Sequence, residues 1–172
     1  MITHRVMAKV LLILLWLCVL CLSGCANFLT PEIGAIARQE ARIDLVEGGV
    51  QDAVWDTRDL ELTYSYSESG NAFNLFGKLV FDRSLTDSFR VNGRFSLKMS
   101  FLDDEGRVLE TVDISPLISS FNELSNQDIK IRKSLVRPVG ANSIAFNYYG
   151  DFRGNDRETR GDGWSIFYFP FD

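Results

Sequence analysis

The chain has 172 residues, 18 Lys plus Arg against 23 Asp plus Glu, a net charge of −5 and 46% hydrophobic residues, a length and balance that fit one domain with a leader. Nucleic-acid binding relies on Lys and Arg neutralising phosphates, so the acidic excess argues against a nucleic-acid partner. The only histidine is His4 and the only cysteines are Cys18, Cys21 and Cys25.

Residues 1–24 carry His4, Arg5 and Lys9, then thirteen unbroken apolar residues from Val10 to Leu22, then Ser23 and Gly24. A basic start, an apolar middle and small residues at the cut are the order of a secretory signal. The apolar run is shorter than the roughly 20 residues that cross a hydrocarbon core of about 30 Å. Leu22-Ser23-Gly24-Cys25 resembles the lipobox of bacterial lipoproteins at all four positions, whereas Cys18 and Cys21 lack small residues before them. The resemblance covers only the first 25 residues and transfers no activity. It implies cleavage of the signal peptide 1–24, a thioether-linked diacylglycerol on Cys25 and acylation of the new amino terminus. Each buried methylene contributes roughly 0.8 kcal/mol, so several acyl chains hold firmly where one binds marginally. Ala26 stands where an Asp would signal retention in the inner membrane. It resembles the outer-membrane-sorted members, and the expected address is the periplasmic side of a bacterial outer membrane.

That cleavage removes Arg5 and Lys9 and leaves 16 basic against 23 acidic side chains, a net charge of −7. It also discards His4, Cys18 and Cys21, and lipidation blocks the last thiol. Ser-His-Asp and Cys-His nucleophilic sites, His/Cys zinc sites and intrachain disulfides are then excluded. No cofactor is expected, and an exported domain without disulfides depends on its core alone.

Residues 25–55 read as a lipidated N-terminus followed by a tether or helix. Thr30-Pro31-Glu32 has the order N-cap, first-turn proline and first-turn acid, Ile33, Ile36, Ala37 and Ala41 make a thin apolar stripe, and Gly48-Gly49 supplies a stop. From about Asp56 the period changes to two, the signal of half-buried strands. Leu60, Leu62, Tyr64 and Tyr66 share one face; Phe73, Leu75, Leu79 and Phe81 share another with Gly77, a candidate bulge or close crossing. Asn92-Gly93 predicts a tight hairpin turn. Phe95, Leu97, Met99 and Phe101 form the clearest strand, and Asp103-Asp104-Glu105-Gly106 turns it into Val108 to Ile114. Ser115 to Gln127 reads equally as a short helix or a loop. Further strands follow at Ile129 to Leu135, Ile144 to Tyr148 and Trp164 to Phe169, with a polar loop over Gly150 to Gly163. The expected fold is all-β: a single antiparallel sandwich over 56–172, immunoglobulin-like or related, with about seven or eight strands.

Three groups of residues have chemical reach. Asp103, Asp104 and Glu105 suit a hard cation such as calcium, but their spacing does not fit an EF-hand loop, and a solvated hairpin tip explains them better. Asp151, Asn155, Asp156, Glu158 and Asp162 share a loop with Arg153, Arg157 and Arg160, which compete for the same carboxylates. Nine of the twenty aromatics beyond residue 25 lie at or after Phe146. Alternation puts Trp164, Ile166 and Tyr168 on one face and Phe167 and Phe169 on the other, so the last strand is either covered on both sides or offers an exposed platform. Tyr149, Phe152 and Trp164 are the candidate ligand contacts. The leading expectation is a lipid-anchored, non-catalytic module that binds an envelope protein or a cell-wall glycan. The rivals are a carbohydrate-binding module using those aromatics and a hydrolase using two carboxylates, for which no pair stands out.

Overall fold

Period-two burial runs through most of the domain. The computed structural model describes residues 29–89, 91–116, 129–153 and 163–172, with the backbone alone at 91–93; Cys25 and the signal segment lie outside the described residues. Among these, nine strands occur: β1 (Ile43–Asp44), β2 (Val50–Asp56), β3 (Leu60–Ser69), β4 (Ala72–Phe81), β5 (Val91–Leu102), β6 (Val108–Asp113), β7 (Ile129–Val136), β8 (Ser143–Arg153) and β9 (Gly163–Tyr168). A short helix, α1 (Arg83–Ser88), separates β4 from β5. Two antiparallel sheets pack together. One runs β2-β3-β4-β7 and the other β1-β8-β5-β6, with β9 also on β8. β1 and β9 share one edge of β8, at Ser143–Ile144 and at Tyr148–Arg153 respectively, while β5 lines the other edge.

The apolar rows expected on β3, β4 and β5 all face inward. Leu62, Leu75, Leu79, Leu97 and Met99 are fully buried, and burial of each such side chain contributes about 1.5–3 kcal/mol. Rings bridge the layers: Phe73 meets Phe101 edge-on at 5.3 Å and Tyr64 meets Phe146 at 5.3 Å. Gly77 is no bulge. It sits in regular register between Tyr64 and Ile131, where a Cβ would come within 3.0 Å of Leu62, so it is a close-packing position.

Three expectations are corrected. The helix over 31–48 does not form: a 3-10 turn at Gln39–Ala41 is its only helical part, and Ile33 is 82% exposed. Gly34 adopts φ +88, outside the helical range, and, apart from a local turn from Ala35 N to Glu32 O, the amides of this segment bond to distant residues. Gly34 N donates to Val108 O at 2.8 Å, Ala37 N to Gly106 O at 2.9 Å and Arg38 N to Pro170 O at 2.8 Å. The start of the sandwich therefore moves back from 56, because β1 and β2 belong to the two sheets. Asn92-Gly93 is no hairpin turn but lies inside β5, at a register shift between Asn92 and Arg94; β4 and β5 are in different sheets, so the link between them is a crossover. Asp82 caps its helix, accepting from Ser84 N at 2.8 Å. Most of Ser115 to Gln127 lies outside the described residues.

The β2–β3 turn is clamped to β8. Tyr148 Oη donates to Asp59 Oδ2 at 2.8 Å and lies 3.2 Å from Thr57 Oγ1. Asp59, 6% exposed, also accepts from Arg58 Nε at 3.1 Å. Tyr148→Phe is expected to cost about 1–3 kcal/mol, because a buried carboxylate loses a donor. Tyr64 offers the contrast: its hydroxyl is buried with no partner among the described residues, so Tyr64→Phe should leave stability equal or higher. Urea denaturation of both variants checks the pair.

Burial also pushes the Tyr64 hydroxyl from 10.0 up to about 12. Between these values the unfolded chain releases a proton that the folded chain retains. The stabilising share is whole below pH 10 and is lost as pH rises through about 12. Tyr148 is raised too, chiefly by burial, and acts in the same direction. Urea midpoints should fall steeply above about pH 10, less so in Tyr64→Phe.

Candidate functional site

Alternation along β8 sorts the aromatic cluster. Phe146, Tyr148, Gly150 and Phe152 point into the sandwich, and Asn147, Tyr149 and Asp151 point to the outer face of the five-stranded sheet. Gly150 is required by proximity, since a Cβ there would stand 3.0–3.2 Å from Phe152, Phe95 and Ile166. Phe152 is 0% exposed and packs edge-on against Phe81 at 5.2 Å. It cannot touch a ligand, which corrects its expected role.

The three candidates do not converge. Trp164 pairs with Phe152 in register and so belongs to the inward row, although it remains 52% exposed at the start of β9. Tyr149 pairs with Phe167 on the opposite side. Phe167 is 68% exposed, whereas Ile166 on the same strand is buried, so β9 is an edge strand with one apolar row inward and Phe167 outward. The strand is therefore not covered on both sides, which corrects that reading: the inward row is buried at Ile166 and the outward row is open at Phe167.

Around Tyr149 and Phe167 a polar set is fixed. Tyr149 Oη donates to Asp151 Oδ1 at 2.6 Å, and Ser165 Oγ donates to the same oxygen at 2.7 Å. Arg94, exposed on β5, is in register with Asp151. The Tyr149 hydroxyl, and secondarily Ser165 and Arg94, hold the Asp151 carboxyl below its ordinary value; the same bond raises Tyr149. A carboxylate kept ionised accepts hydrogen bonds and donates none. A glycosidase general acid needs the opposite shift, so this group suits recognition rather than proton donation. Phe167 and Tyr149 add apolar ring surface beside it, the combination that takes a ligand with one apolar face and hydroxyl groups at its rim.

The other groups resolve differently. Asp103 Oδ1 accepts from Glu105 N at 3.0 Å and from Arg107 N at 2.7 Å, which builds the hairpin tip, and Asp104 accepts from Asn142. Among the described residues no three His, Cys, Asp or Glu side chains are grouped to hold a metal. Of the expected 150–163 loop, Gly150–Arg153 extends β8 and Gly163 opens β9; Asn155, Asp156, Arg157, Glu158, Arg160 and Asp162 lie outside the described residues. Sequence reading missed the Asp151–Ser165 pairing because it depends on the β8–β9 register. Its available signal was shared parity: Tyr149 with Asp151 on one strand, Ser165 with Phe167 on the other.

Neither a protein-family model, nor a curated protein, nor a solved structure matches the chain. The site therefore stands on its own chemistry.

Proposed function

We propose that the chain is a lipid-anchored, non-catalytic lipoprotein of a bacterial cell envelope, held through Cys25 on the periplasmic side of the outer membrane, whose immunoglobulin-like or related sandwich is a binding or assembly module. The address rests on the likeness of Leu22-Ser23-Gly24-Cys25 to a lipobox and on Ala26 after it. The observation that carries the binding role is the exposed Phe167 in register with half-buried Tyr149, beside a carboxylate that accepts from two hydroxyl donors. Cys25→Ser is expected to leave the protein unprocessed or to release it from membranes, read by fractionation and intact mass. A variant that is cleaved and still sediments like the parent would remove the lipid from the account.

The same pair favours a glycan over a protein as the bound partner, since an exposed ring and a neighbouring carboxylate match a sugar's apolar face and its hydroxyls. Binding of the full chain to a glycan array should fall at least tenfold in Phe167→Ala and survive Trp164→Ala. Loss on Trp164→Ala alone would move the site to the other side of β9.

A further inference from the structure

Among the described residues β2, β6, β7 and β9 each leave at least part of one sheet edge open. An open edge presents unpaired amides and carbonyls to other chains, and charged side chains along it keep those chains from adding. β2 carries Asp52 and Asp56, β6 carries Glu110 and Asp113, and β7 carries Lys130, Arg132 and Lys133. β9 differs: Gly163-Trp164-Ser165-Ile166-Phe167-Tyr168 holds neither a charge nor a proline. It pairs with β8 along one edge and, among the described residues, with no strand along the other.

We propose that this edge pairs antiparallel with β9 of a second copy about a two-fold axis, so that the two five-stranded sheets run on as one. The strand is complementary to itself. Facing residues must share parity if each row is to stay on its own side of the sheet, and placing Ile166 opposite the partner's Ile166 achieves this from Trp164 to Tyr168. Trp164 then faces the partner's Tyr168, and Phe167 faces the partner's Ser165. The first contact accounts for an exposure that one copy leaves unexplained: Trp164 belongs to the inward row yet is 52% exposed, and in the pair it meets an aromatic ring, a favoured cross-strand neighbour. The adjacent registers of the same parity leave Trp164 or Tyr168 with no ring opposite. β2 or β7 set against its own copy would bring acid to acid or base to base, which singles out β9 for self-pairing. The outward row lengthens too, reading Tyr149, Phe167, the partner's Ser165 and the partner's Asp151. That longer platform rests on the binding role proposed above; the strand pairing does not. Five facing residues span about 17 Å, less contact than the roughly 800 Å² per partner of a standard interface, so the dimer is weak.

The test uses the full chain in its membrane fraction, in a Cys18→Ser/Cys21→Ser background. A copy bearing Ser165→Cys, co-expressed with a copy bearing Phe167→Cys, should give a disulfide-linked heterodimer under mild oxidation, because the two positions face each other. Either variant alone should give at least tenfold less, since like positions then lie on the diagonal, about 7–8 Å apart, beyond the usual reach of a disulfide. Trp164→Lys added to both copies should lower the heterodimer yield at least fivefold, because the two-fold axis removes that contact twice, with an unchanged melting temperature as the folding control. A mixture that crosslinks no better than its single variants overturns the pairing, and so does a yield that Trp164→Lys leaves unaltered. Glycan binding is read separately on the array. Crosslinking with no glycan bound would keep the pairing and remove the binding role, and glycan bound by a chain that does not crosslink would do the reverse.

Discussion

Phe146→Ala is expected to destabilise the domain by about 3–5 kcal/mol, lowering the melting temperature by roughly 6–20 °C for a domain of this size. The ring is 1% exposed and belongs to β8, yet its neighbours belong to the other sheet: Trp55 of β2 at 5.0 Å and Tyr64 of β3 at 5.3 Å. Those contacts span the two layers, so removing the ring opens a cavity that neither sheet can close without bending. The aromatic pairs add about 0.5–1.5 kcal/mol each beyond the area they bury. Phe76→Ala is the control, because that ring lies on the outer face, and its cost should stay near about 0.5 kcal/mol. Urea denaturation decides between them. A loss below 1 kcal/mol for Phe146→Ala would mean that the sheets do not pack across this ring.

Residues such as Leu97 and Met99 were legible because one face is wet and one is dry, and a period of two records that directly. Ile129, Ile131 and Leu135 on β7 turn inward while Lys130, Arg132 and Ser134 turn outward for the same reason. Residues 31–41 were misread because their stabilisation is non-local. Pro31, Glu32 and the apolar spacing are compatible with a helix, but the amide of Ala37 bonds to Gly106 and that of Arg38 to Pro170. No window of neighbouring residues contains those partners. Asn92-Gly93 failed as a turn for a related reason: the dipeptide permits a hairpin, and sheet membership forbids one. At the site, the parity of Phe167 was readable, whereas the placing of Ser165 against Asp151 needed the register between strands joined through residues outside the described set.

Phe171→Ala tests that non-local stitching and is expected to cost about 2–4 kcal/mol. Phe171 is 6% exposed and closes a second apolar cluster with Ala37, Leu102, Val108 and Ala145, against Phe169 at 5.3 Å. This cluster lies outside the main core, and it is what covers one end of the five-stranded sheet's outer face. Backbone bonds knit the same place: Asp172 N donates to Ile36 O at 3.0 Å, and Ala37 bridges to Phe171. A small satellite cluster opens on its own before the whole domain does. The amides of Ala37 and Arg38 should therefore exchange with solvent much faster in the variant, while amides of β3 and β4 slow or speed only by the change in global stability. Equal acceleration at both places would show that the termini and the sandwich unfold as one unit; no acceleration at Ala37 and Arg38 would show that Phe171 does not hold the N-terminal segment down.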